Sequence, residues 1–159
     1  MLTKLKKLKA ERSDQGFTII EVMIVLAIAG LILLIVFLAV PALQRNARNT
    51  TLKSDASAVA AGITEYVSNN SGAMPTQITQ AASVITVGAN NTAQATAKVN
   101  GSTVVSTVVA IPTAGNIGSG TVKVELGHAC NVVAADPRQS AVYYGVEVSG
   151  GEAVGCVQT

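Results

Sequence analysis

Gly16-Phe17-Thr18-Ile19-Ile20-Glu21-Val22-Met23-Ile24-Val25-Leu26-Ala27-Ile28-Ala29-Gly30 opens an apolar run that continues to Val40. The 24 residues 17–40 carry one ionisable side chain, Glu21. At about 1.5 Å per residue a helix of this length reaches roughly 36 Å, enough to cross a hydrocarbon layer of about 30 Å with some tilt. A carboxylate inside that layer is costly without a partner, so Glu21 is a functional candidate and its partner has to be found. Glutamate is too short to carry its charge far toward the headgroups by snorkelling.

The sixteen residues ahead of the run are basic. Lys4, Lys6, Lys7, Lys9 and Arg12 oppose Glu11 and Asp14, a local charge of +3, whereas the chain from Phe17 onward has six basic and seven acidic side chains, a charge of −1. Arg45, Arg48 and Lys53 follow the span, fewer than precede it, which favours residues 1–16 in the cytoplasm and the C-terminal part outside. An ordinary secretory signal peptide also starts basic, but its apolar core is about 7–15 residues long, and this one is longer. Cleavage near Ala42 would discard Glu21 and its surroundings.

A basic leader ending in glycine, then Phe17-Thr18-Ile19-Ile20-Glu21 and a long apolar helix, resembles the type IV pilin family, which includes the pseudopilins of type II secretion. The likeness covers about 25 residues closely, because leader, glycine, aromatic residue and glutamate stand at fixed spacing. It implies cleavage between Gly16 and Phe17 by a prepilin peptidase and methylation of the new Phe17 amine. It further implies that Glu21 pairs with the Phe17 amine of a neighbouring subunit and sets the register of a filament. Other partners it implies are identical subunits, the cytoplasmic membrane, an assembly ATPase and a platform protein. Members often carry a helix-bending proline where this chain has Leu38, and here the proline is Pro41. Gly30 matches a small residue common in the family's apolar helix, where it permits close helix approach.

Beyond the span, Leu52, Ala56, Val59, Ile63 and Tyr66 recur at spacings of four and three, one stripe of a helix that has to cover an apolar surface. Asn69-Asn70-Ser71-Gly72 ahead of Pro75 should end it, so a helix is expected over residues 17–68. Residues 71–100 are small and polar and read as a connecting region with a short helix at 77–83. Strands are expected at 104–111, 121–126, 142–148 and 153–157, the last two flanking the hairpin signal Ser149-Gly150-Gly151. The fold class is α+β: a long N-terminal transmembrane helix packed on a small antiparallel β-sheet head. The expected divisions are a leader at 1–16, a span at 17–40, an amphipathic continuation at 41–70 and a head at 71–159.

Cys130 and Cys156 fall in the part placed outside, where pairing is favoured over two free thiols. The bridge would constrain the unfolded chain by roughly 3 kcal/mol on the chain-entropy model. Many pilins tie their last loop in this way, which favours a pilin over a pseudopilin. Catalysis finds no constellation: His128 has no predictable carboxylate partner and reads as a turn or surface residue, while Glu125, Asp136, Glu147 and Glu152 are scattered. Gly118-Ser119-Gly120 precedes a strand and lacks the helix N-terminus that cradles phosphate. No cofactor or metal is expected. The slightly acidic exported part argues against nucleic acid as a direct ligand, and of the adjacent Tyr143 and Tyr144 one should be core and the other exposed. Four Asn-x-Ser/Thr triplets, at Asn49, Asn69, Asn90 and Asn100, are what an Asn- and Thr-rich composition brings by itself. The reading is structural: a pilin serving adhesion, surface movement or DNA uptake, held in the cytoplasmic membrane before it joins a surface pilus. The alternatives are a type II secretion pseudopilin and a membrane-tethered adhesive domain that never polymerises.

Overall fold

The computed structural model describes residues 16–159 except 91, 109, 114, 133 and 134; the basic segment 1–15, where most of the leader falls, lies outside the described residues. The chain divides into two compact units, one ending at Pro41 and the other covering Ala42–Thr159. Helix α1, Ile19–Asn69, contributes to both. Helical geometry continues through Pro41, whose ring nitrogen has no proton to offer the Phe37 carbonyl. The helix stops where the sequence expects it to. Ser71 (φ 54°) and Gly72 (φ 88°) turn left-handed, and the Gly72 amide donates back to the Val67 carbonyl at 2.9 Å, a wrap that satisfies the last carbonyls of a helix.

In the first unit the apolar side chains from Phe17 to Val40 have no cover. Phe17 is 87% exposed, and those from Ile19 to Val40 are exposed likewise. No residue of the most apolar stretch is buried, the state of a helix that needs lipid or other helices around it. In the second unit the expected stripe is realised: Leu52, Ala56, Val59, Ile63 and Tyr66 are all buried.

That stripe is covered by two sheets, not one. The first contains β1 (Gln77–Ala81), β2 (Val84–Ala89) and β3 (Thr92–Lys98), antiparallel in chain order. The second contains β4 (Val104–Val108), β5 (Thr121–His128), β6 (Ala135–Val148) and β7 (Gly151–Gln158). Ile85, Val87, Ala95 and Ala97 of the first sheet share one core with the helix stripe and with Val122, Val124 and Val142 of the second. Small residues face the helix in β3 because the helix comes close: a Cβ on Gly62 would stand 3.2 Å from that of Ala97.

Three expectations are corrected. The connecting region with a helix at 77–83 is a three-stranded sheet, whose first turn puts Ala82 at φ 52° between paired Ala81 and Val84. The second sheet is mixed, since β4 pairs with β5 in parallel. Parallel neighbours need a crossover of about a dozen residues, and the connection between β4 and β5 supplies it, with Ile117 set on the sheet face away from α1. There Ile117 packs with Ala141 and Tyr143 as a second core. Because that face is covered too, neither tyrosine is exposed: Tyr143 is fully buried in the second core, and Tyr144 is half-buried against the first. The Ser149-Gly150 turn closes β6 on β7, as expected, with Val148 opposite Gly151.

The side-chain amide of Gln80 joins the two sheets. Its Nε2 donates to the Thr103 carbonyl, 2.6 Å, and its Oε1 accepts from the Val105 amide, 2.7 Å, so it pairs with the edge of β4 as a peptide group would. Between β2 and β3 the register shifts at Val87/Gly88, and a Cβ on Gly88 would fall on the Thr92 carbonyl oxygen. Gly88→Ala therefore forces the backbone of β3 aside. We expect a loss of about 1–3 kcal/mol, as for overpacking of a close-fitted interior, read as a lower midpoint in urea unfolding.

Candidate functional site

Glu21 is met first by its own chain. Thr18 is the residue before α1, and its hydroxyl accepts from the Glu21 amide at 3.3 Å. The Glu21 carboxylate in turn accepts from the Thr18 amide at 2.9 Å and from the Thr18 hydroxyl at 2.7 Å, both on Oε2. This is a capping box, in which a Thr and a Glu three residues apart satisfy each other's free donors at a helix start. It moves the helix start from the expected Phe17 to Ile19. The other oxygen, Oε1, accepts no hydrogen bond among the described residues. Glu21 lines an open apolar groove together with Phe17, Val22 and Val25. Gly16 and Phe17 precede the helix and are exposed. Thr18 escapes a reading that looks for the glutamate's partner only in another subunit, although the Thr-x-x-Glu spacing is legible.

Three further residues of α1, all in the second unit, bind the helix to the head. Arg48 meets Glu147 through two parallel bonds, Nε at 2.8 Å and Nη2 at 2.6 Å. The guanidinium holds the Glu147 carboxyl below the usual carboxylate range. Asn49 reads the backbone of the same residue in both directions, accepting from its amide at 2.8 Å and donating to its carbonyl at 2.9 Å. Asp55, 7% exposed, accepts from the Asn100 amide at 3.1 Å and the Thr103 hydroxyl at 2.6 Å. All three stand three or four residues from Leu52 or Val59, on the side of the apolar stripe, but a polar residue there does not name its partner, so sequence reasoning misses all three.

Cys130 and Cys156 form a disulfide with a Cα–Cα distance of 6.0 Å, packed against Ile117, Ala141 and Tyr143. Close by, His128 is not a free surface residue. It ends β5, and its Nδ1 stands 3.6 Å from Oε1 of Glu125, whose side chain is 4% exposed. Residues three apart in a regular strand face opposite ways. A register shift between Leu126 and His128, with Gly127 at φ 78°, returns them to one side. Glu125 Oε2 and His128 Nδ1 are both buried without a hydrogen-bond partner among the described residues. Burial, together with the Glu125 charge, pushes the Tyr143 phenol up, against the Asn131 amide that donates to it at 3.2 Å. Among the described residues no group of three or more His, Cys, Asp or Glu is placed to hold a metal ion.

A capped helix start behind a glycine leads into an uncovered apolar surface long enough by length and composition to cross a bilayer, which fits membrane anchoring. Residues 12–37 match the family described as the prokaryotic N-terminal methylation motif, so the chain carries the leader signature of type IV pilin and pseudopilin precursors. No curated protein and no solved structure matches the chain.

Proposed function

We propose that the chain is a pilin. A prepilin peptidase cuts between Gly16 and Phe17, the Phe17 amine is methylated, and the subunit waits in the cytoplasmic membrane with its N-terminus inside. An assembly ATPase and platform protein then move it into a fibre in which apolar helices of identical subunits cover one another. Head-to-tail contacts that do not close give an open filament. The observation that carries this reading is the Glu21 carboxylate: one oxygen is fixed by the helix cap and the other has no partner among the described residues, at the start of an uncovered apolar helix. A neighbour's ammonium at Oε1 would complete the pairing without disturbing the cap.

The Cys130–Cys156 bridge favours this reading over a pseudopilin. Adhesion, surface movement and DNA uptake are outputs that such a fibre could serve. The mass of the intact protein purified from membranes or fibres tests the first steps. A chain beginning at Phe17 and heavier by one methyl group, about 14 Da, is expected. A chain that still begins at Met1 would leave a solitary anchor and remove the filament.

A further inference from the structure

The turn that Asp55 holds contains an unusual combination. Asn100-Gly101 is the only Asn-Gly pair in the chain. Asn100 opens the turn closed by the Thr103 amide on the Asn100 carbonyl at 2.9 Å. Its side chain folds back over that turn, where Oδ1 accepts from the Ser102 amide at 3.1 Å and the Ser102 hydroxyl at 2.9 Å. Asn100 and Gly101 are exposed. A Cβ added at Gly101 meets nothing within 4 Å, so water reaches the bond between them. Neither Nδ2 of Asn100 nor the Gly101 amide donates a hydrogen bond among the described residues.

We infer that Asn100 is a site of spontaneous deamidation, and that the reaction releases the latch between this turn and α1. Two donors on Oδ1 draw electrons from Cγ, and the absence of a side chain at Gly101 leaves its nitrogen free to approach. That nitrogen loses its proton to water or hydroxide and attacks Cγ. The new N–Cγ bond closes a cyclic imide as the Cγ–Nδ2 bond breaks, and Nδ2 departs as ammonia after taking up a proton. Water then adds to one or the other imide carbonyl and opens the ring, giving aspartate or isoaspartate; no oxidant or metal takes part. Either product brings a second carboxylate beside Asp55. Isoaspartate also reroutes the main chain through Cβ, so the residue 100 amide and carbonyl no longer serve Asp55 and Thr103 together. Because Asp55 ties both ends of the turn to the helix, the change is felt at α1.

The test holds the detergent-solubilised full chain at mildly alkaline pH and follows each asparagine by peptide mapping. A gain of about 1 Da, with isoaspartate recognised by its enzymatic methylation, is expected at Asn100 at least about tenfold faster than at Asn46 or Asn116, and Gly101→Ala, which has room for its methyl group, should remove that excess. Amide exchange over residues 52–59 should be faster in the aged protein than in the fresh one. A rate at Asn100 equal to the other asparagines, or untouched by Gly101→Ala, overturns the site. Unchanged exchange in fully converted protein overturns the coupling through Asp55.

Discussion

Glu21→Ala is expected to lower filament yield by roughly tenfold or more while leaving cleavage after Gly16 and membrane insertion intact. The alanine variant loses two things at once: the acceptor for the Thr18 amide and hydroxyl, and the charge offered to a neighbour's Phe17 amine. Other substitutions separate them. Glu21→Gln keeps an oxygen that can accept from Thr18 but carries no charge. It should assemble as poorly as alanine if the ammonium pairing governs register. Thr18→Val removes the hydroxyl while leaving the charge, and should assemble nearer to wild type. Glu21→Asp keeps the charge on a shorter arm and should fall between. Electron microscopy of sheared fibres with immunoblotting of the membrane fraction reads all four. Full assembly of Glu21→Gln would reduce Glu21 to a helix cap, and wild-type yield from Glu21→Ala would remove the residue from assembly.

The parts of this fold that are legible in the sequence are those where one physical demand dominates. The span is legible because lipid accepts almost nothing but apolar side chains, and the stripe from Leu52 to Tyr66 because a half-buried helix must repeat every three to four residues. The first sheet is not legible. Gln77–Ala81 and Thr92–Lys98 are mostly Gln, Ala and Thr, and of these only threonine favours strands. What makes them strands is tertiary: Ala95 and Ala97 are the size that fits where Gly62 brings α1 close. The parallel pairing of β4 and β5 escapes for a related reason. An antiparallel expectation assumes that successive strands meet at a turn, whereas the connection from β4 to β5 buries Ile117 against the sheet. At the candidate site the glutamate announces itself by its cost in lipid. Thr18 is quiet because a threonine beside a membrane helix violates no rule. The pairing of Glu125 with His128 depends on a bulge that no periodicity reveals.

Removal of the bridge by Cys156→Ser is expected to destabilise the head by roughly 3 kcal/mol, the chain-entropy value for a closed loop of this size, given a sequence separation of 26. Two effects add in the same direction. The unfolded chain regains the freedom of that loop, and the folded chain loses a tie across its second core. β7 is an edge strand, bonded to β6 alone. The segment carrying Cys130 covers Tyr143, whose hydroxyl accepts the Asn131 amide. Without the bridge that cover and the edge strand separate more easily, so exchange should rise first at residues 129–132 and 151–158 and last in α1 around Val59. The double variant Cys130→Ala/Cys156→Ala, which leaves no odd thiol to form dimers, should match the reduced wild type in urea unfolding. Leader removal should proceed normally, because the Gly16–Phe17 bond lies in the other unit. Equal unfolding midpoints for oxidised and reduced wild type would show that packing around Ile117 and Tyr143 holds the second core by itself.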